Sequence, residues 1–248
     1  MFIGFGTLLN VTTVLAGSAI GLLVGHRLPQ RTRDVVTDGL GLVTLMIAAL
    51  STAAVLDGAF VAEVGDSATV LVVLGSLLLG GIAGSLLHVE ARLEAFGGVL
   101  QRRLLRGSGG ESRRRFVEGF VTASLLFCVG PLTILGSLSD GLGLGYEQLA
   151  VKSVLDGFAS IAFAATLGWG VMASALVVLV VQGGLTLLGL LVGDVLSDGA
   201  VAAITATGGL LLVGVALRLL RLKPLPVGDL LPALLVAPVL VEVVSRLR

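Results

Sequence analysis

Residues Tyr146–Gly170 read YEQLAVKSVLDGFASIAFAATLGWG. The stretch is apolar enough to lie in a bilayer, yet it holds Lys152 and Asp156. Four residues apart, these two share one face of a helix, a turn apart. Lysine recurs in the chain only at position 223. An ionisable side chain in hydrocarbon costs several kcal/mol unless it is paired or reached by water, so such residues face a bundle interior or an aqueous path. Two readings follow. Lys152 snorkels to the outer surface with Asp156 beside it, or the pair belongs to a polar cluster at the centre of the bundle that binds an ion or a proton.

Working outward, the apolar run extends over residues 148–192. As one helix it would measure roughly 67 Å at ~1.5 Å per residue, about twice the hydrocarbon core of a bilayer. It has to fold back, and Gly168-Trp169-Gly170 is the break the sequence offers. Comparable runs fill the rest of the chain. Spans are expected near 3–25, 38–56, 68–89, 116–137 (with Pro131 inside), the two halves of 148–192, 200–217 and 228–245. The last carries Pro232 and Pro238.

Composition agrees. Hydrophobic residues make up 56% of the chain against 13% charged, and the mean hydropathy is +1.08. A soluble domain has no use for so much apolar surface. Aromatics at 4% and the lack of ten-residue alternation argue against a β-barrel. The 36 glycines suit helices packed closely through small side chains. Cys128 is the single cysteine, which rules out an intrachain disulfide and a cysteine metal cluster. The N-terminus lacks a basic region before its apolar run, and that run is long enough to span, so a cleaved signal is not expected.

The net charge of zero hides an asymmetry. Arg27, Arg31 and Arg33 follow the first span, Arg92 to Arg115 follow the third, and Arg218, Arg221 and Lys223 follow the seventh. The intervening loops hold Asp57, Glu63 and Asp66, then Asp140 and Glu147, then Asp194 and Asp198, without Arg or Lys. With eight spans every basic loop falls on one side, the cytoplasmic side by the positive-inside rule. Arg246 and Arg248 are discordant, which leaves the eighth span either re-entrant or weakly determined. The charged stretch 90–115 is expected to be a cytoplasmic loop or a surface amphipathic helix.

Gly21-Leu-Leu-Val-Gly25 recurs as Gly189-Leu-Leu-Val-Gly193, and at the same offset Gly41-Leu42 falls on Gly209-Leu210. Spans one and two therefore resemble spans six and seven. Given eight spans, the two units run in opposite directions, as in transporters built on inverted repeats. This divides the chain into a first repeat unit (1–89, spans one to three), the Arg-rich stretch (90–115), central spans four and five (116–168) and a second repeat unit (169–248, spans six to eight). Gly17, Gly21 and Gly25, like Ser76, Gly80 and Gly84, form small-residue ridges suited to close helix packing.

Asn10 in span one and Gln182 in span six are the intramembrane amides. Each either hydrogen-bonds a neighbouring helix or contacts an ion or solute. Pro131 in FCVGPLTILGS marks a distortion of span four. Enzyme signatures are missing: there is no Gly-x-Ser-x-Gly, no His-Glu-x-x-His and no phosphate loop. His26 and His88 lack the carboxylate neighbours of a metal site.

The blocks GTLLN (Gly6–Asn10), FCVGPLTILGSLSDG (Phe127–Gly141), KSVLDGFASIAFA (Lys152–Ala164) and LLPALLVAP (Leu230–Pro238) resemble, over nearly the whole chain, the prokaryotic membrane-protein family catalogued as domain of unknown function 554. The resemblance implies a multi-spanning inner-membrane protein with a presumed transport role. It supplies no substrate and no assigned active residues.

The expectation is an all-α integral membrane protein of about eight transmembrane helices with an inverted internal repeat, in the prokaryotic cell membrane. Asn10, Lys152, Asp156 and Gln182 are the candidate substrate or ion-binding residues of a transporter or channel. The alternative is a non-transport membrane scaffold or regulatory subunit. No catalytic residue, metal or cofactor is expected. The partners are the lipid bilayer, a small ion or solute and further copies of the chain, with no nucleic acid.

Overall fold

The structure is a computed structural model that describes residues 2–25, 29–92, 95, 99, 110–128, 131–192 and 196–247. Among these residues every regular element is helical. The helices are α1 (Phe5–Gly25), α2 (Gln30–Thr52), α3 (Gly58–Val64), α4 (Asp66–Leu86), α5 (Gly110–Cys128), α6 (Pro131–Gly141), α7 (Glu147–Leu167), α8 (Trp169–Val192), α9 (Asp198–Leu219) and α10 (Ala233–Leu247), with short 3-10 turns at Ala53–Leu56 and Val227–Leu230. Seven segments are long and apolar enough to cross a membrane, and the bent pair α5–α6 makes an eighth candidate. The amphipathic helix expected within 90–115 falls mostly on residues outside those described.

Two boundaries differ from the sequence reading. The second span was expected from residue 38, with Arg31 and Arg33 in a loop. Instead α2 starts at Gln30, directly after Pro29, because QRTRDVV contains no helix breaker and proline favours a helix start. Between the second and third spans lies α3, whose start is capped by the Asp57 carboxylate accepting from the Ala59 amide at 2.9 Å. The break at Gly168 stands where the sequence placed it. Its φ of 81° is open to glycine and strained for a side chain.

The chain clusters into two compact units that do not follow sequence order. One holds α1, the first turns of α2, α5, α6 from Leu132, α7 and α8; the other holds the rest of α2 from Gly41, with α3, α4, α9 and α10.

In the first unit α1 and α7 run parallel. The ridge of Gly17, Gly21 and Gly25 meets the backbone carbonyls of Gly157, Ile161 and Ala165, a step of four residues on each helix. Only a residue without Cβ admits backbones this close. The α5–α6 path runs beside α8. A Cβ on Gly170 would lie 2.7 Å from the Phe120 nitrogen, and one on Gly189 would lie 2.7 Å from the Leu138 carbonyl. Gly170 to Gly189 is about 28 Å of helix at ~1.5 Å per residue, close to the ~30 Å hydrocarbon thickness. The pair bends by 77° between its two helices, yet it traverses the depth that α8 traverses. That extent is what a broken span requires. The Thr133 hydroxyl donates to the Phe127 carbonyl at 3.1 Å, so a backbone acceptor freed by the break regains a partner.

In the second unit α9 is the most enclosed helix. It runs antiparallel to α2, with Gly41 against Leu220 and Gly209 against Thr52. Along α4, the ridge of Gly84 and Gly80 packs on Asp229 and Ala233, and Gly75 lies near Leu240, so α10 runs antiparallel to α4. At the far end Val241 and Val244 join a buried cluster with Phe60 of α3. The segment Val227–Leu247 is long and apolar enough to cross a membrane. Arg246 is neutralised by Glu242 one turn back at 2.6 Å, so its position on the acidic side is locally compensated. The opposite end of the unit is tied by Glu90, which accepts from Arg218 Nη1 at 2.6 Å and from the Gly228 amide at 2.5 Å.

Candidate functional site

The site grows from α7. Its inward stripe is Leu149, Lys152, Ser153, Asp156, Ser160, Phe163 and Ala164, the spacing of one helix face. Val151, Val154, Leu155 and Phe158 on the other face are exposed, as suits contact with acyl chains. Lys152 and Asp156 are 6% and 7% exposed. Lys152 Nζ lies 2.7 Å from Asp156 Oδ2. The ammonium turns inward onto the carboxylate and does not snorkel.

Asn10 of α1, fully buried, donates from Nδ2 to the same Asp156 Oδ2 at 2.9 Å. An ionised carboxylate only accepts, so this contact fixes the amide orientation and turns Asn10 Oδ1 away. That oxygen has no protein partner. Gln182 of α8 is also fully buried, and neither end of its carboxamide has a partner. It makes no hydrogen bond to the triad. Its level follows from Thr7 and Thr186, whose hydroxyls meet at 3.2 Å. Asn10 lies one turn beyond Thr7, Gln182 one turn before Thr186, and α1 and α8 run antiparallel. The two amides are thus at the same depth on facing stripes.

Ser153 and Ser160, on the same buried face as Asp156, spend their hydroxyls within α7. Each donates at 2.6 Å to a carbonyl of its own helix, Leu149 and Asp156 respectively. Two buried polar residues of α6 were not singled out from the sequence. Asp140, read as part of an acidic outer loop, is 4% exposed and accepts from the Gly4 and Gly6 amides at 3.3 and 3.2 Å. It supplies from α6 the cap that α1 lacks in its own sequence. Ser137 of α6 is fully buried with an unpartnered hydroxyl. Nothing local distinguishes either residue; both depend on contacts distant in sequence. Cys128, at the end of α5, lies in electrostatic range of Lys152 and Asp156. Among the described residues no three His, Cys, Asp or Glu side chains gather as metal ligands.

A buried ion pair, carboxamides with unspent hydrogen-bonding capacity and several long apolar helices define a multi-pass α-helical membrane protein with a polar centre. The chain belongs to the family described as Protein of unknown function (DUF554), whose profile matches residues 5–242. It is 30% identical over 240 residues to the "Uncharacterized membrane protein YdfK" of Bacillus subtilis (strain 168), covering 97% of this chain and 96% of that protein. It is 29% identical over 232 residues to the "Uncharacterized protein YqgA" of Escherichia coli (strain K12), covering 94% of each. No solved structure matches it.

Proposed function

We propose that this protein transports a small ion or solute across the prokaryotic cell membrane, with its basic ends in the cytoplasm and Asn10, Lys152, Asp156 and Gln182 forming the substrate site. The observation that carries the reading is unspent polar capacity around a buried ion pair. Asn10 Oδ1 and both ends of the Gln182 amide are without partners at the depth of Lys152–Asp156. An unmet buried polar atom costs about 1–3 kcal/mol, and a purely structural pair has no need of several.

An inverted repeat would support the same reading. The spans matched by sequence, α1 with α8 and α2 with α9, run antiparallel within their own units, a direction compatible with inversion. The candidate residues on α1 and α8 then lie on repeat-related helices, where such transporters hold their substrates. No catalytic role is assigned to any residue.

The test is flux in proteoliposomes containing the purified protein, with a panel of inorganic ions and small polar solutes. Uptake above empty vesicles, lowered in Gln182→Leu at sub-saturating substrate and unchanged reconstitution, is the expected result. Equal uptake in protein-containing and empty vesicles across the panel would favour the scaffold or regulatory role.

A further inference from the structure

We propose that the Lys152 ammonium is a resident stand-in for a monovalent cation, and that the site exchanges one such cation for one proton. The proposal rests on the transport reading above and names its substrate class.

The argument begins with Asn10. Its amide is held with the donor towards Asp156, so its oxygen is an obligate acceptor with no donor to meet. Gln182 adds a second unpartnered carboxamide oxygen at the same depth. Oxygen donors around one carboxylate suit a hard cation. Lys152 Nζ already occupies the carboxylate oxygen such an ion would take. For the ion to bind, Lys152 Nζ gives one proton to water and its contact with Asp156 Oδ2 breaks. The cation takes that oxygen, and a half-turn of the Asn10 carboxamide presents Oδ1 in place of Nδ2. Lysine and aspartate sum to zero before the step. Neutral lysine, aspartate and a monovalent cation sum to zero after it. A low-dielectric interior demands that balance. A divalent ion would leave one charge uncompensated, and no gathering of carboxylates exists among the described residues to absorb it. An anion would have to displace a tethered carboxylate and would face acceptor oxygens.

The surroundings isolate the pair. Neither α1 nor α8 carries a titratable side chain. From α5, Cys128 lies within electrostatic range of it, while Arg114, Arg115 and Glu118 lie towards the far end. From α6, Asp140 is spent on the Gly4 and Gly6 amides. On α7 itself Glu147 sits in the first turn.

The experiment follows thermal unfolding of the purified protein in sodium, potassium or ammonium chloride against choline chloride at equal ionic strength, from pH 6 to 9. At least one cation should stabilise it, with an apparent Kd that falls about tenfold per pH unit, since one proton leaves for each ion bound. Unbuffered titration should release one proton per cation. The salts that act separate ammonium from alkali metals. Lys152→Arg keeps the charge and the ion pair but cannot yield its proton. It should melt near wild type in choline chloride and lose the cation shift. Gln182→Leu should keep the proton release and bind about tenfold more weakly, the ~1.4 kcal/mol of one lost ligand. Identical melting in all four salts, cation binding without proton release, or Lys152→Arg behaving as wild type would each overturn the proposal. If the flux panel shows a neutral or anionic substrate while all salts act alike, this inference fails and the transport reading stands. If cation binding releases protons but vesicles show no cation–proton exchange, the site stands and the transport reading fails.

Discussion

Asp156 Oδ2 is the most contested atom in the site, because Lys152 Nζ and Asn10 Nδ2 both converge on it. Removing one partner of a buried ion pair leaves the other uncompensated, which costs about 3–5 kcal/mol. Asp156→Asn should therefore lower the melting temperature strongly. The double variant Lys152→Gln with Asp156→Asn should regain most of it, since two neutral amides of similar size satisfy each other. Flux should be lost in both, which separates the functional role from the structural one. Recovery of stability without recovery of flux is the expected pattern. Restored flux in the double variant would remove the pair from the mechanism. The pair itself was legible in the sequence because i,i+4 spacing on a helix is a local geometry. Its third member was not. Asn10 lies 146 positions from Asp156, and hydropathy shows which face of α1 is apolar without saying whose side chain fills the gap.

At the scale of elements, the glycine ridge of α1 sets how deeply that helix seats against α7. A Cβ on Gly21 would lie 2.9 Å from the Ala164 methyl and closer still to the Ile161 carbonyl. Gly21→Leu should push the helices apart and cost about 1–3 kcal/mol or more, read as a drop in detergent melting temperature. Gly183 meets nothing within 4 Å. Gly183→Ala should hold or raise stability, by up to about 1 kcal/mol from helix propensity. Equal losses in the two variants would show that the ridge is not the contact that matters. The broken span makes its own prediction. In a Cys128→Ser background, Arg114→Cys and Leu144→Cys should be labelled by an impermeant thiol reagent from opposite faces of the membrane. Labelling of both from one face would give the re-entrant reading of α5–α6 instead. Pro131 announced a distortion, but a proline reads alike in a kinked helix and a broken one. The two ends lie beside opposite ends of α8, and the labelling pattern distinguishes the cases.

For the whole molecule, hydropathy was enough to find the long apolar helices, because it is a property of one contiguous segment. The division into compact units was invisible to it, since α1 joins α5 to α8 and skips the helices that follow it. The second unit offers a check of the full count. Leu222 and Leu247 are both well exposed and lie at opposite ends of α10's traverse. Leu222→Cys and Leu247→Cys should label from opposite faces, and a shared face would place the eighth span in the re-entrant class. The order in which the chain leaves and re-enters the first unit also bears on its synthesis. The α1 ridge ends at Gly25, and its partner helix begins only at Glu147. At ~5–20 residues per second, a ribosome leaves that glycine groove open to lipid for on the order of ten seconds. Throughout that interval Asn10 has no carboxylate to hold. A nascent chain stalled before Glu147 is then a membrane-inserted but unpaired species, the form a membrane chaperone or protease would meet.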